Sequence, residues 1–137
     1  MSGRRCRWCA LLLAVLAAGC DIVRGPTPLN DAPVIRQLGD FIFVDAKNNV
    51  VQTTATLELI ADQQSELALD VVEPEGEPLT ITVGPLPRGW SYDDQRRVLV
   101  AAPDHRQRNL VFTIYIVAED SHDPPAYDTR IIYGNVR

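Results

Sequence analysis

Residues 67–83 read LALDVVEPEGEPLTITV, and their pattern decides the fold class. Leu67, Leu69 and Val71 alternate with Ala68 and Asp70, while Leu79, Ile81 and Val83 alternate with Thr80 and Thr82. Successive side chains of a strand point to opposite faces, so each run carries the pattern of a half-buried strand. Between them lies Glu73-Pro74-Glu75-Gly76-Glu77-Pro78. Its prolines fix φ and lack a donor, and Gly76 accepts backbone conformations that other residues avoid, so the segment predicts a turn.

Outward from this pair the same period continues. Residues 56–60 place Leu57 and Leu59 in alternation with Thr56, Glu58 and Ile60. Residues 98–100 form a short apolar run, and residues 127–136 hold Ile131-Ile132-Tyr133. Residues 110–117 (LVFTIYIV) are rich in β-branched and aromatic types and predict a central strand covered on both faces. Phe41-Ile42-Phe43-Val44 and Val50-Val51 flank the polar residues 45–49 and predict a hairpin. A helical period over 57–72 competes with the alternation at 67–71, and the alternation fits better. A second turn, Leu86-Pro87-Arg88-Gly89, delivers Trp90 toward the interior, where Phe112, Ile114 and Ile116 are its expected partners. Seven or eight short strands parted by turn clusters predict an all-β, antiparallel β-sandwich.

The N-terminal segment is of another kind. Arg4, Arg5 and Arg7 precede the apolar residues 10–18, and Leu16-Ala17-Ala18-Gly19 lead into Cys20. A basic flank, a short apolar run and small residues at a cleavage point describe a secretory signal peptide. The run is roughly half of the ~20 residues that a spanning helix needs. With cysteine next, the segment resembles a bacterial lipoprotein signal, whose cysteine becomes the lipidated first residue of the mature protein. The expected organisation is a cleaved signal peptide at 1–19, a lipidated Cys20 with a flexible tether over 20–32, and the sandwich over 33–137, in which 36–56 form an additional hairpin. Fully extended, the tether reaches about 40 Å.

Processing changes the charge. The chain carries 13 basic and 18 acidic residues, a net charge of −5. Losing Arg4, Arg5 and Arg7 with the leader leaves ten basic residues against 18 acidic ones, a charge of −8. Such a surface repels nucleic-acid phosphates and anionic head groups, so no nucleic-acid partner is expected. Membrane contact then falls to the acyl chains on Cys20, palmitate among them. Cys6 and Cys9 have C-x-x-C spacing but lie in the leader, and Cys20 is consumed by lipid. The mature domain has no thiol left for a disulfide, a thiolate metal site or a nucleophile.

Four segments, in order, resemble the bacterial cadherin-like (dystroglycan-type) immunoglobulin-like modules. Asp31-Ala32-Pro33-Val34-Ile35 is similar to their N-x-A-P-V-I opening, and residues 70–80 (DVVEPEGEPLT) to their D-P-E-G-D-P-L-T stretch. Residues 84–93 (GPLPRGWSYD) resemble their LP-x-G-x-x-x-D turn, and residues 115–120 (YIVAED) the strand that ends in A-x-D. Asp94-Gln95-Arg96-Arg97 departs from the T-G that usually follows. The resemblance implies an immunoglobulin-like sandwich with a binding or structural function. It also implies calcium held by carboxylates at the domain ends, here Glu73, Glu75 and Glu77 in one loop and Asp120 and Asp123 in another. Calcium takes six to eight oxygen ligands. The competing reading is a solvated acidic turn, which the longer glutamates at 73 and 77 favour. No other cofactor is expected.

Catalytic constellations find little support. His105 and His122 have no metal-ligand spacing, and Ser65, Ser91 and Ser121 lack a Gly-x-Ser-x-Gly context. Asp93 and Asp94 are adjacent, so on a strand they point to opposite faces. No enzymatic activity is expected. Pro124-Pro125-Ala126-Tyr127 presents Tyr127 as the candidate binding-surface aromatic. Together these features predict a lipid-anchored protein of the bacterial cell envelope whose non-catalytic sandwich recognises a protein or glycan partner. The alternative is an accessory subunit of a larger envelope assembly, docking through the 36–56 hairpin. A calcium-dependent adhesion module is a further variant.

Overall fold

The computed structural model describes residues 29–45, 49–50 and 52–137. Within them eleven strands follow in the order β1 (Val34–Leu38), β2 (Phe41–Ile42), β3 (Val44–Asp45), β4 (Asn49–Val50), β5 (Thr54–Leu59), β6 (Ser65–Val72), β7 (Leu79–Gly84), β8 (Ser91–Asp93), β9 (Val98–Ala101), β10 (Val111–Asp120) and β11 (Tyr127–Val136). A 3-10 turn, His105–Gln107, stands between β9 and β10. One sheet has the order β2-β1-β6-β9-β8 and the other β5-β11-β10-β7, with β3 and β4 as a separate pair. The protein is an all-β sandwich.

The expected strands at 67–71 and 79–83 are β6 and β7. Gly76 in the turn between them has a φ of +75°, the left-handed region that favours glycine. β5 follows its alternation: Ala55, Leu57 and Leu59 are buried, while Thr54, Thr56 and Glu58 face water. Two features depart from the sequence reading of an antiparallel sandwich with 110–117 as a strand covered on both faces. The chain leaves one sheet after β2 and joins the other at β5, so β5 pairs with β11 in parallel. The strand over 110–117, expected to be covered on both faces, is covered on one. Phe112, Ile114, Ile116 and Ala118 are buried, whereas Val111 and Tyr115 lie on the open face. β-Branched and aromatic residues suit a pleated surface whether or not it is roofed, so an unbroken run of them does not imply burial of both faces.

The hairpin expected over 36–56 is narrower. β1 takes Arg36, Gln37 and Leu38, β5 takes Thr54, Ala55 and Thr56, and β3 pairs with β4 between them. Phe43 ties this insertion to the core: it is fully buried, its N–H donates to Arg36 O at 2.8 Å, and its carbonyl accepts from Gln52 N at 2.7 Å. Its ring lies 5.9 Å from the guanidinium of Arg130, a buried cation. Arg130 pairs with Asp128, and the other Asp128 oxygen accepts from Ile35 N at 2.8 Å. Thus a partly buried ion pair on β11 holds β1, a strand of the opposite sheet.

At the centre, Trp90 meets Phe112 edge-to-face, with ring centroids 4.8 Å apart and planes at 74°. Ile114 and Ile116, the other expected partners of Trp90, are fully buried in the same core. The Phe112 ring occupies the space that a side chain at Gly134 would need. A Cβ there would stand 2.2 Å from Phe112 Cζ and 2.5 Å from Leu57 O. Gly134→Ala should therefore cost about 1–3 kcal/mol or more by overpacking. Adding Phe112→Leu should recover part of that loss, so that the two changes are non-additive in urea melts. Equal midpoints for Gly134→Ala and the parent would contradict this packing.

Candidate functional site

Strand register sorts the charged loops to two ends of the sandwich. Asp120, at the end of β10, stands opposite Leu79, at the start of β7; Val34 stands opposite Val72 and Glu119 opposite Tyr127. The β6–β7 turn, the β10–β11 loop and the start of β1 therefore share one pole. It holds Asp31, Glu73, Glu75, Glu77, Asp120 and Asp123.

Asp120 organises this acidic pole. It is 4% exposed, and its carboxylate accepts from Ala126 N at 2.9 Å, His122 N at 3.1 Å and Asn30 Nδ2 at 2.8 Å. Burial acts to raise its pKa, but the N–H donors from Ala126, Asn30 and His122 outweigh it and hold the carboxyl below its ordinary value of 3.8. The chain continues from His122, whose Nδ1 lies 3.3 Å from Glu77 Oε1, to Glu73, whose Oε2 accepts from Glu77 N at 2.6 Å. Burial likewise acts to raise the Glu73 carboxyl, and the Glu77 amide leads the hydrogen bonds that hold it low. Glu75 accepts from Asp31 N at 2.9 Å. Asn30 and Asp31, read as tether from the sequence, are thus clamped to the domain, because their polar groups complete the acidic network.

The candidate calcium ligands are only partly gathered. Glu73, Glu75, Glu77 and Asp120 share the network, while Asp123 is exposed in the β10–β11 loop. Among the described residues no three acidic or histidine side chains stand together as a cation cluster. Three buried oxygens at this pole nevertheless have no donor: Asn30 Oδ1, Glu73 Oε1 and Glu77 Oε2. Tyr127 opens β11 and is 67% exposed, as expected of a surface aromatic; Tyr115 and Tyr133 are also exposed, farther along the same sheet. Cys20 and the signal-like segment lie outside the described residues.

The opposite pole is different. There β7 ends at Gly84, and the loop through Arg88 faces the 3-10 turn and the start of β10 across an open cleft of about 570 Å³. Its floor is Leu86, Leu110 and Phe112, its rim is Arg88, Arg106 and Arg108, and no carboxylate lines it. The sequence reading missed this site. Its arginines are separated along the chain and diluted by Asp93, Asp94 and Asp104, so only the fold brings them together. A local excess of basic residues over 88–108 was the available signal.

No protein-family model matches this chain, and no curated protein matches it. Solved structures do. A nucleoside hydrolase-related hypothetical protein from Saccharophagus degradans, associated with carbohydrate metabolism, aligns with a TM-score of 0.58 and 16% identity over 79% of this chain and 26% of its own. The human cadherin CDH23 (EC21–23) aligns with a TM-score of 0.52 and 17% identity over 80% of this chain and 34% of its own. A chimeric titin Z1Z2, functionalized with a KLER exogenous peptide from decorin, gives a TM-score of 0.41 and 10% identity over 78% of this chain and 97% of its own. At such identities the likeness concerns the fold alone, which is a cadherin-like, immunoglobulin-like β-sandwich.

The lowered pKa of Asp120 gives a pH signature. A carboxyl whose folded value lies below its unfolded one contributes stability above the unfolded pKa and loses it as pH falls through the folded value. Asp120→Asn should lower the thermal midpoint at pH 7, and the gap to the parent should close as the pH falls below about 4. A gap that stays constant from pH 7 to pH 3 would contradict the assignment.

Proposed function

We propose that this chain is a lipid-anchored, non-catalytic binding module of the bacterial cell envelope, tethered through Cys20 and recognising a partner at its membrane-distal end. One observation carries the reading: the two ends of the sandwich differ, one acidic and the other opening as an arginine-rimmed cleft. The chain from Cys20 arrives at the acidic pole, where Asn30 and Asp31 are clamped, and the cleft opens at the other pole. Residues 21–29 span at most about 30 Å when extended. The chain connection keeps the acidic pole on the membrane side, and in this reading the cleft at the other pole faces outward. The likeness in fold to a cadherin and to a protein associated with carbohydrate metabolism supports a binding role toward protein or glycan.

Cys20→Ser should release the protein from the membrane fraction or leave it unprocessed. A mature variant that still requires detergent would refute the anchor. Crosslinking of the lipidated protein in the native envelope then identifies the partner. The accessory-subunit reading gains from Ile42, 61% exposed beside the insertion. Its test is Ile42→Asp, because deleting the hairpin would remove the buried Phe43.

A calcium-dependent form of the same role rests on the three donorless oxygens at the acidic pole. If these hold calcium when it is bound, millimolar calcium raises the thermal midpoint, and replacing Glu73 and Glu77 by glutamine removes the rise. No shift at millimolar calcium would end that variant.

A further inference from the structure

We propose that the arginine-rimmed cleft binds an extended acidic peptide segment of a partner protein, adding it as a strand to a free edge of β10. The inference rests on the reading of this chain as a binding module and names the chemistry of its partner.

The edge comes first. β10 pairs with β7 only from Tyr115, opposite Gly84, to Asp120, opposite Leu79. β10 therefore extends from Val111 to Ile114 beyond the end of its neighbour. Even-numbered residues here direct their backbone groups toward β11: Leu110 O accepts from Val136 N at 2.9 Å and Asp120 N donates to Ala126 O at 3.1 Å. Backbone polar groups alternate in direction along an antiparallel strand, so Val111 and Thr113 direct theirs to the side that β7 has left. Among the described residues no backbone partner meets them there. Pro85 and Pro87 in the departing loop have no N–H to offer. Unpaired strand edges are templates for an incoming strand.

Charge then selects what is added. Arg88, Arg106 and Arg108 make no salt bridge among the described residues, in a protein whose net charge is −5. Guanidinium groups bind carboxylates through two parallel hydrogen bonds. The walls that present them are fixed. Gln107 Nε2 donates to Arg88 O at 3.1 Å, joining one wall to the other, and Asp104 caps the 3-10 turn by accepting from Arg106 N at 2.8 Å. Asn109 N donates to Val136 O at 2.8 Å.

The floor separates a peptide from other anions. Leu86 and Leu110 are half-buried aliphatic groups, and the one aromatic ring in the lining, Phe112, is 6% exposed. A glycan would need an open ring face on which to stack, whereas aliphatic side chains suit the alternate residues of an added strand. A lipid head group is disfavoured by position, since the chain from Cys20 reaches the opposite pole. The occupant that meets all three conditions is an extended segment in which acidic and aliphatic residues alternate.

The test uses the full chain in detergent and two fluorescent, end-capped peptides, one alternating glutamate with valine and the other lysine with valine. The acidic peptide should bind, weaken as salt is raised, and lose about tenfold or more in affinity when all three arginines are replaced by serine. Melting midpoints of that variant should match the parent, because the arginines are exposed. At saturation, amide exchange at Thr113 should slow, which a purely electrostatic contact would not produce. Equal affinity for the two peptides, no loss in the triple variant, or unchanged exchange at Thr113 would overturn the proposal. So would competition for the cleft by an oligogalacturonate, or by phosphatidylglycerol vesicles, in the absence of acidic-peptide binding. A partner captured in the envelope through another face would refute this inference while leaving the binding role intact.

Discussion

Phe112 can lie where it does only because residue 134 has no side chain. Its ring fills the place of the missing Cβ, and from there it meets the edge of Trp90. Gly134 and Phe112 face each other across the β10–β11 pair, the longest ladder among the described residues, while Trp90 arrives from the connection between the sheets. Three residues far apart in the chain thus meet at one point of the core. The same ring forms part of the floor of the arginine cleft. Core packing and the floor of the cleft therefore share one contact.

What could be read in advance was local in origin. The period of two in β5, β6 and β7 reflects residues that meet the core one by one, and it located Leu57, Leu59, Leu69 and Val71 correctly. Trp90 was legible because a proline–glycine turn leaves it little choice but to point inward. Gly134 carried no such mark: its need for a bare Cα arises from Phe112, 22 positions earlier in the sequence. The parallel pairing of β5 with β11 was equally hidden, since nothing in either strand records that the chain has changed sheets before β5 begins.

The acidic pole divides in the same way. Glu73 to Glu77 read clearly as a turn, and Asp120 as the end of a strand. The donors that satisfy Asp120 did not, because Asn30 lies 90 residues away and looked like linker. The partly buried Arg130–Asp128 pair escaped notice for a related reason. On paper it is two charges on a strand; in the fold it faces inward and is covered by Phe43. At the other end, arginines spread over two connections became a site only when β7 stopped short of the full length of β10.

That polarity has a mechanical side. The chain enters the sandwich at the end where β1 begins, and the cleft lies at the far end, so a pull between an anchor on the N-terminal side and a partner in the cleft would run along the strands. Hydrogen bonds between strands lie across that direction, and a load along the axis strains the bonds of a ladder together instead of opening them one after another. The β1–β6 pairing, with the Asp128 carboxylate gripping Ile35 beside it, would bear such a load in shear. If the proposed function holds, the module is hung by one pole and loaded at the other, an arrangement that would transmit tension.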